Sequence, residues 1–385
     1  MLDDRKTFQR QRAILISSKN DSMIQEALGL ASAAGYEIVE SFTQRHLSRG
    51  RYGVGSGKAS EIAETIKKMG LKTILFDKTL SSSQIYNLAK LTGAEVIDRE
   101  KLILDIFSKR ASTTEAKLQV ELAELRYEMP RAREKVRMAR MGEQPGFFGL
   151  GRYEVDIYYR SIRRRVSHVS KKLQEVKKRR NLHRYTRARE DIPTISIAGY
   201  TGAGKTTLFN LLTGESKPVA DESFTTLTTT TRAINLLGSK TLVSDTVGFI
   251  SRLPTYVIEA FKSTLEEQVY ADLILLIVDI SEEEDDLHRK YLECVSVMSE
   301  LGVSPSKVLH IFNKVDKLNT EDVKDRIFSL LGEERKFNIV SAKFGYGIDD
   351  LKSTMHRLLY SNISEMNTKG KETPQYPKEL TVSDT

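Results

Sequence analysis

A single cysteine, Cys294, stands among the chain's 385 residues. One cysteine excludes an internal disulfide framework and fits a reducing compartment. Cys294 lies in a helical pattern and reads as a small buried hydrophobe. Long apolar runs are missing too. The most apolar stretch, ADLILLIVDI, is far shorter than the roughly 20 residues of a membrane span. It reads as a strand buried on both faces. The opening residues, MLDDRKTFQRQR, hold no apolar signal-peptide core. These absences together predict a cytoplasmic protein without a membrane span. A monomer is expected.

What is present is unevenly spread. The net charge is +8, but Arg126–Glu190 holds 20 Lys and Arg against 7 Asp and Glu. Asp191–Tyr360 is the reverse, with 18 against 25. A basic segment inside a balanced chain points to a polyanionic partner. The length suits two or three domains. Up to residue 110, short β-branched runs (AILIS, YEIVES, TILFD, AEVID) alternate with helical stretches. That pattern predicts a small parallel sheet. Residues 111–190 change period. STTE (Ser112–Glu115) is a capping-box pattern opening a helix. Leu118, Leu122, Leu125 and Met129, then Ile162, Val166, Val169, Leu173 and Val176, recur at steps of three and four. Two such stretches around GEQPGFFGLG predict an antiparallel helical hairpin, with Pro130 bending or ending the first arm. Its basic residues, with Phe147 and Phe148 at the tip, suit RNA phosphates and bases. Residues 191–360 return to α/β, with a tight turn at Gly238–Ser239 and a last helix ending near Tyr360. Residues 361–385 read as a polar, disordered tail.

The third segment carries the chemistry. GYTGAGKT (Gly199–Thr206) fits G-x-x-x-x-G-K-[ST] between a strand and a helix. The loop Gly199, Tyr200, Thr201, Gly202, Ala203 and Gly204, with Thr207 behind it, would wrap phosphates with backbone N–H groups. Lys205 would reach the β- and γ-phosphates, and Thr206 would ligate Mg²⁺. Asp245 ends a strand, placed to hold Mg²⁺ through water, and Gly248 completes DxxG; its N–H would meet the γ-phosphate. NKVD (Asn313, Lys314, Val315, Asp316) follows another strand. The Asp316 carboxylate can accept from both guanine N1–H and the 2-amino group, which adenine cannot supply. Ser341, Ala342 and Lys343 can offer N–H groups to guanine O6. Asp279 reads as a turn residue. In DESFTTLTTTTR, with Phe224, Thr225 and Thr226, one threonine would close over metal and phosphate; spacing does not choose among them. After DxxG stands Phe249, where many such switches carry a water-orienting glutamine. A low basal rate is expected, with the ring turned into an apolar pocket.

The order P-loop, switch threonine, DxxG, NKxD, SAK resembles the translation-factor class of GTPases. KPVADESFTTL resembles the switch region of the Obg–HflX superfamily, and DTVGFISRLP is similar to the HflX switch II. GSGK, LSSSQIYNL, DREKLILDIFSKRA and TEAKLQVELAELRYEMPR resemble the HflX N-terminal region. The resemblance implies that Thr226 is a Mg²⁺ ligand and that Lys205, Thr226 and Gly248 are catalytic. It implies a GTP/GDP cycle, docking on the large ribosomal subunit and its rRNA through the hairpin and N-terminal domain, and ribosome splitting or recycling under stress. The chain departs from the family pattern at GLGRYEVDIYYRSIRRR, with Arg152 where a glutamate is common. The expected architecture is α/β: an N-terminal parallel domain with the hairpin, then a P-loop GTPase domain with a mostly parallel six-stranded sheet. Two other functions share these features. One is a subunit-assembly switch, separable by whether intact ribosomes part with GTP. The other is an RNA remodeller with a second nucleotide site at Gly53–Lys58, where a plain glycine turn is the simpler reading.

Overall fold

Residues 10–141, 152–188, 192–215, 230–246, 248–251, 254–332 and 336–368 are described by the structure, a computed structural model. The first sheet is built from β1 (Gln11–Ser18), α1 (Asp21–Ala33), β2 (Tyr36–Gln44), α2 (Ser56–Met69), β3 (Thr73–Phe76), α3 (Ser82–Thr92), β4 (Glu95–Asp98) and α4 (Arg99–Arg110). Its strands run parallel in the order β2-β1-β3-β4. Helices cover both faces, so β1 is buried from Ala13 to Ser17, as its unbroken apolar run requires. Local chemistry sets the helix ends. The Asn20 side chain accepts the Met23 N–H at 2.9 Å, Ser81 and Gln84 form a full capping box, and Asp98 accepts the Lys101 N–H at 2.9 Å. Each satisfies a donor that a helix start leaves without partner.

Two long helices follow, α5 (Thr114–Met141) and α6 (Arg152–Ala188). Glu121 pairs with Arg165 at 2.7 Å, and Glu128 accepts from the Tyr158 hydroxyl at 3.1 Å. The partners' numbers rise on one helix and fall on the other, so the pair is antiparallel. Leu118, Leu122, Leu125 and Met129 pack with Ile162, Val166, Val169 and Leu173 in one apolar cluster. One expectation fails here: the cap is Thr113, not Ser112, and its hydroxyl accepts the Ala116 N–H at 3.1 Å. Of the two outcomes expected at Pro130, an end is excluded, since the helix continues to Met141; burial of the apolar face outweighs the lost backbone bond. Phe147 and Phe148 lie outside the described residues.

The second sheet comprises β5 (Thr194–Gly199), α7 (Lys205–Thr213), β6 (Thr230–Leu236), β7 (Ser239–Asp245), α8 (Thr255–Tyr270), β8 (Leu273–Asp279), α9 (Glu284–Glu300), β9 (Val308–Asn313), α10 (Thr320–Leu331), β10 (Phe337–Ile339) and α11 (Ile348–Thr368). The order is β10-β9-β8-β5-β7-β6, parallel except for the β6–β7 hairpin. That hairpin turns at Leu237–Gly238, one residue earlier than expected, with φ of 49° and 92°. Both positive angles suit the two-residue turn that matches strand twist. α11 runs eight residues past Tyr360, to Thr368; the rest of the expected tail lies outside the described residues. Strand order reverses at β5, which sits between β8 and β7. Open α/β sheets bind ligands beyond the carboxyl end of such a strand.

One apolar cluster joins α1 and α4, the helical pair, and α8 and α9 of the second sheet. Phe107 of α4 meets Phe261 of α8 edge to face, with ring centroids 4.9 Å apart. The two sheets therefore share a core, and Phe249 and Ile250, just after DxxG, lie within it.

Candidate nucleotide site

β5 ends at Gly199 and α7 begins at Lys205, so Tyr200–Gly204 loops over the carboxyl end of the sheet. Two glycines there are obligatory for different reasons. Gly199 has φ +143°, and a Cβ would sit 2.3 Å from the Ile277 carbonyl oxygen of β8. Gly204 has φ +96°, and a Cβ would sit 2.3 Å from Asn313 Nδ2. Lys205 is buried, and its Nζ donates to the Tyr200 carbonyl at 2.7 Å. Burial lowers its pKa to about 8, with Asp245 pulling the other way. The ammonium is thus poorly solvated and poised for phosphate oxygens. Thr206 Oγ1 lies 3.3 Å from Asp245 Oδ2, both residues being buried. Two hard oxygen donors side by side at the P-loop fit a hard divalent cation that keeps water and phosphate as its other ligands. Phe224, Thr225 and Thr226 lie outside the described residues. Thr230 and Thr231 belong to β6.

Asn313 ends β9 and works as a strut. Its Nδ2 donates to the Ala203 carbonyl at 2.8 Å, and its Oδ1 accepts the Ala342 N–H at 2.9 Å. One side chain thereby ties the P-loop to the SAK loop. Asp316 accepts from the Ser341 hydroxyl at 2.6 Å, which fixes the carboxylate assigned to guanine. Lys343 is exposed and lies 5.3 Å from the Phe344 ring. Asp279 is a turn residue as expected, its Oδ1 accepting the Ser281 N–H at 3.1 Å. Its second oxygen does what the sequence did not reveal: it pairs with Lys314, the lysine of NKVD, which holds a left-handed φ of 65°. The Gly53–Lys58 stretch reads as a turn into α2, with Gly55 as its cap. Lys58 pairs with Glu61 at 2.9 Å.

The DxxG segment touches the P-loop directly. The Phe249 N–H donates to the Gly199 carbonyl at 3.0 Å, and the Phe249 carbonyl accepts the Thr201 N–H at 2.8 Å. Gly248 is so close to Lys205 that a Cβ would fall 2.7 Å from Nζ. The Phe249 ring points the other way, into the shared core, and is 2% exposed. Val247 lies outside the described residues. Sequence reasoning missed what surrounds Ser251 and Tyr200: partners up to 174 positions away, on α1. A bulky tyrosine inside a phosphate loop was the only hint.

Family models agree with this geometry. Residues 21–108 match a model described as GTP-binding GTPase N-terminal, 110–187 a GTP-binding GTPase middle region, and 194–314 a 50S ribosome-binding GTPase. The GTPase HflX of Methanocaldococcus jannaschii is 44% identical over 91% of this chain and 87% of its own length. The chain belongs to the HflX GTPase family. The HflX of Escherichia coli is 38% identical over 92% of this chain and 84% of its own. Among solved structures, a GTP-binding protein from Sulfolobus solfataricus in complex with GDP aligns over 91% of this chain and 99% of its own. It has 26% identity and a TM-score of 0.52. Guanine-nucleotide binding by a P-loop domain and GTP hydrolysis follow from HflX membership. Among the described residues no helix is long and apolar enough to cross a membrane.

Proposed function

We propose that the chain is a Mg²⁺-dependent GTPase, slow alone and faster on the large ribosomal subunit, which separates or recycles ribosomes under stress. The observation that carries this reading is Phe249. The residue that follows DxxG is a ring with no hydrogen-bonding group, and it is buried away from the P-loop. Water positioning then falls to backbone or to a partner in trans. Lys205 and the N–H groups of Gly199–Thr207 bind the phosphates and stabilise charge developing on them. The Gly248 N–H meets the γ-phosphate. Asp316, with Asn313, Lys314, Ser341, Ala342 and Lys343 around it, selects guanine. Thr206, Asp245 and Thr226 would hold Mg²⁺, which supplies charge neutralisation at the β- and γ-oxygens. Support for the partner comes from the family description and from α6, where Arg163, Arg164, Lys171 and Lys172 are exposed. Those cations suit rRNA phosphates. We take residues 1–110, 111–190 and 191–360 as the working units, the protein acting as a cytoplasmic monomer.

The test is GTP turnover with and without purified large subunits. A low basal rate that climbs on subunits is expected. Fast hydrolysis by the isolated protein, or no stimulation, overturns the proposal. Mixing the protein with intact ribosomes and GTP then asks whether subunits part.

A further inference from the structure

The Tyr200 side chain meets Ser251 at a contact that also includes the first sheet's helices. The Tyr200 hydroxyl lies 2.6 Å from Glu26 Oε2 on α1 and 2.6 Å from the Ser251 Oγ. It also accepts the Ser251 N–H at 2.6 Å. The phenol has one proton, and a carboxylate can only accept, so that proton goes to Glu26. Glu26 is itself held by Arg99 of α4, which also pairs with Asp77. Arg99 then reaches across to donate to the Ser251 carbonyl at 3.1 Å. Both backbone groups of Ser251 are therefore fastened, the N–H by the P-loop tyrosine and the carbonyl by the first sheet's arginine. Arg99, Asp77, Tyr200 and Ser251 are each at most 5% exposed, so these charge-assisted bonds are shielded from water.

Three residues earlier in the chain is Gly248, packed against the Lys205 ammonium. Phe249, between them, is laced to Gly199 and Thr201 by its own backbone. Fixing Ser251 thus limits where Gly248 can stand beside Lys205, the residue assigned above to the terminal phosphate. We propose that Glu26 and Tyr200 are positioning residues for γ-phosphate recognition, a clamp through which the first sheet sets the preference for GTP over GDP. Neither side chain needs to touch the nucleotide through its polar end. Glu26 acts through the Tyr200 hydroxyl, and the hydroxyl acts through Ser251 on Gly248. Linkage makes the effect reciprocal. GTP tightens the contact between the two sheets, and whatever pulls α1 from the P-loop weakens GTP relative to GDP.

The inference rests on the proposed role of Gly248, and the experiment separates the two. Affinities of the full-length protein for GDP and for a non-hydrolysable GTP analogue are measured for wild type, Glu26→Gln, Tyr200→Phe, their double variant and Gly248→Ala. Glu26→Gln and Tyr200→Phe are each expected to weaken the GTP analogue about tenfold, the scale of one hydrogen bond to a charged group. In Glu26→Gln, GDP should stay within about twofold, and in Tyr200→Phe the analogue should lose clearly more than GDP. The double variant should match Tyr200→Phe, because removing the hydroxyl already removes its bond to Glu26. Equal losses for GDP and the analogue, no loss in Glu26→Gln, or additive losses in the double variant each overturn the clamp. Tyr200→Phe keeps the ring packing and the Glu26–Arg99 pair, so it decides the matter if Glu26→Gln lowers the melting temperature below the assay range. If Gly248→Ala binds the analogue like wild type, the assignment of Gly248 falls and takes the clamp with it. If Gly248→Ala loses the analogue but Glu26→Gln and Tyr200→Phe do not, only the clamp falls.

Discussion

Replacing Gly204 by alanine should cost far more than an ordinary loop substitution, and the structure says where the cost arises. The new methyl carbon would lie 2.3 Å from Asn313 Nδ2. Because the backbone there has φ +96°, any side chain also carries about 1–2 kcal/mol of conformational strain. The amide of Asn313 must leave, and it carries two bonds, to the Ala203 carbonyl and from the Ala342 N–H. Losing both, with buried backbone groups left behind, costs about 2 kcal/mol. Gly204→Ala should therefore destabilise by about 3–4 kcal/mol, and Asn313→Ala by about 2 kcal/mol. The decisive variant combines them. With the amide gone the methyl has room, so the double change should cost only the strain plus the lost strut, about 2 kcal/mol less than the sum of the singles. Urea unfolding at constant m-value reads all three. Strict additivity would refute the strut, and so would a Gly204→Ala protein with wild-type stability. Affinity for GDP should fall in every variant, since the P-loop and the SAK loop lose their common tie.

Other outcomes follow from the same geometry. Burial holds the Lys205 pKa near about 8, and bound phosphates would raise it. Binding therefore favours the charged lysine: GDP affinity should be full below pH 8 and fall as pH rises above it, by up to about tenfold at pH 9. Titration calorimetry from pH 7 to 9 checks this, with Lys205→Arg expected to stay flat. Phe249→Ala removes a buried ring and should cost about 3–5 kcal/mol while GTP binding persists; a variant as stable as wild type would place the ring elsewhere. Arg99→Met leaves Asp77 and Glu26 buried without their counter-charge, which should cost about 3–5 kcal/mol in chemical denaturation. A neutral result would show that water reaches those carboxylates.

The site was legible because phosphate binding needs contiguous chain. GYTGAGKT, DTVG, NKVD and SAK follow β5, β7, β9 and β10 in turn. The α/β patterns placed both sheets for the same reason: period and apolar content are local properties. Single-residue boundaries were not. Thr113 and Ser112 are both competent caps, and only the backbone path decides between them. Pro130 breaks helices on average, yet here it lies in a helix whose apolar stripe is buried against α6. Asp279 was legible as a turn, but its bond to Lys314 joins two strand ends that only the sheet brings together. The fastening of Ser251 left no trace beyond the bulky tyrosine in the phosphate loop. Its parts come from α1, α4, the P-loop and α9, where Glu293 accepts from the Ser251 hydroxyl at 2.9 Å. No spacing rule links them.

The edge-to-face pair of Phe107 and Phe261 bears on how this molecule can be dissected. Phe107 closes the end of α4, and Phe261 belongs to the helix that follows the DxxG segment. A protein cut after Ala111 would keep the helical pair but take Phe107 from Phe261 and remove α1 and α4 from the apolar cluster that includes Phe249 and Ile250. That fragment would expose an oily face beside its own phosphate loop and should self-associate. Its turnover would then report on a wetted, loosened segment and not on the GTPase within the whole chain.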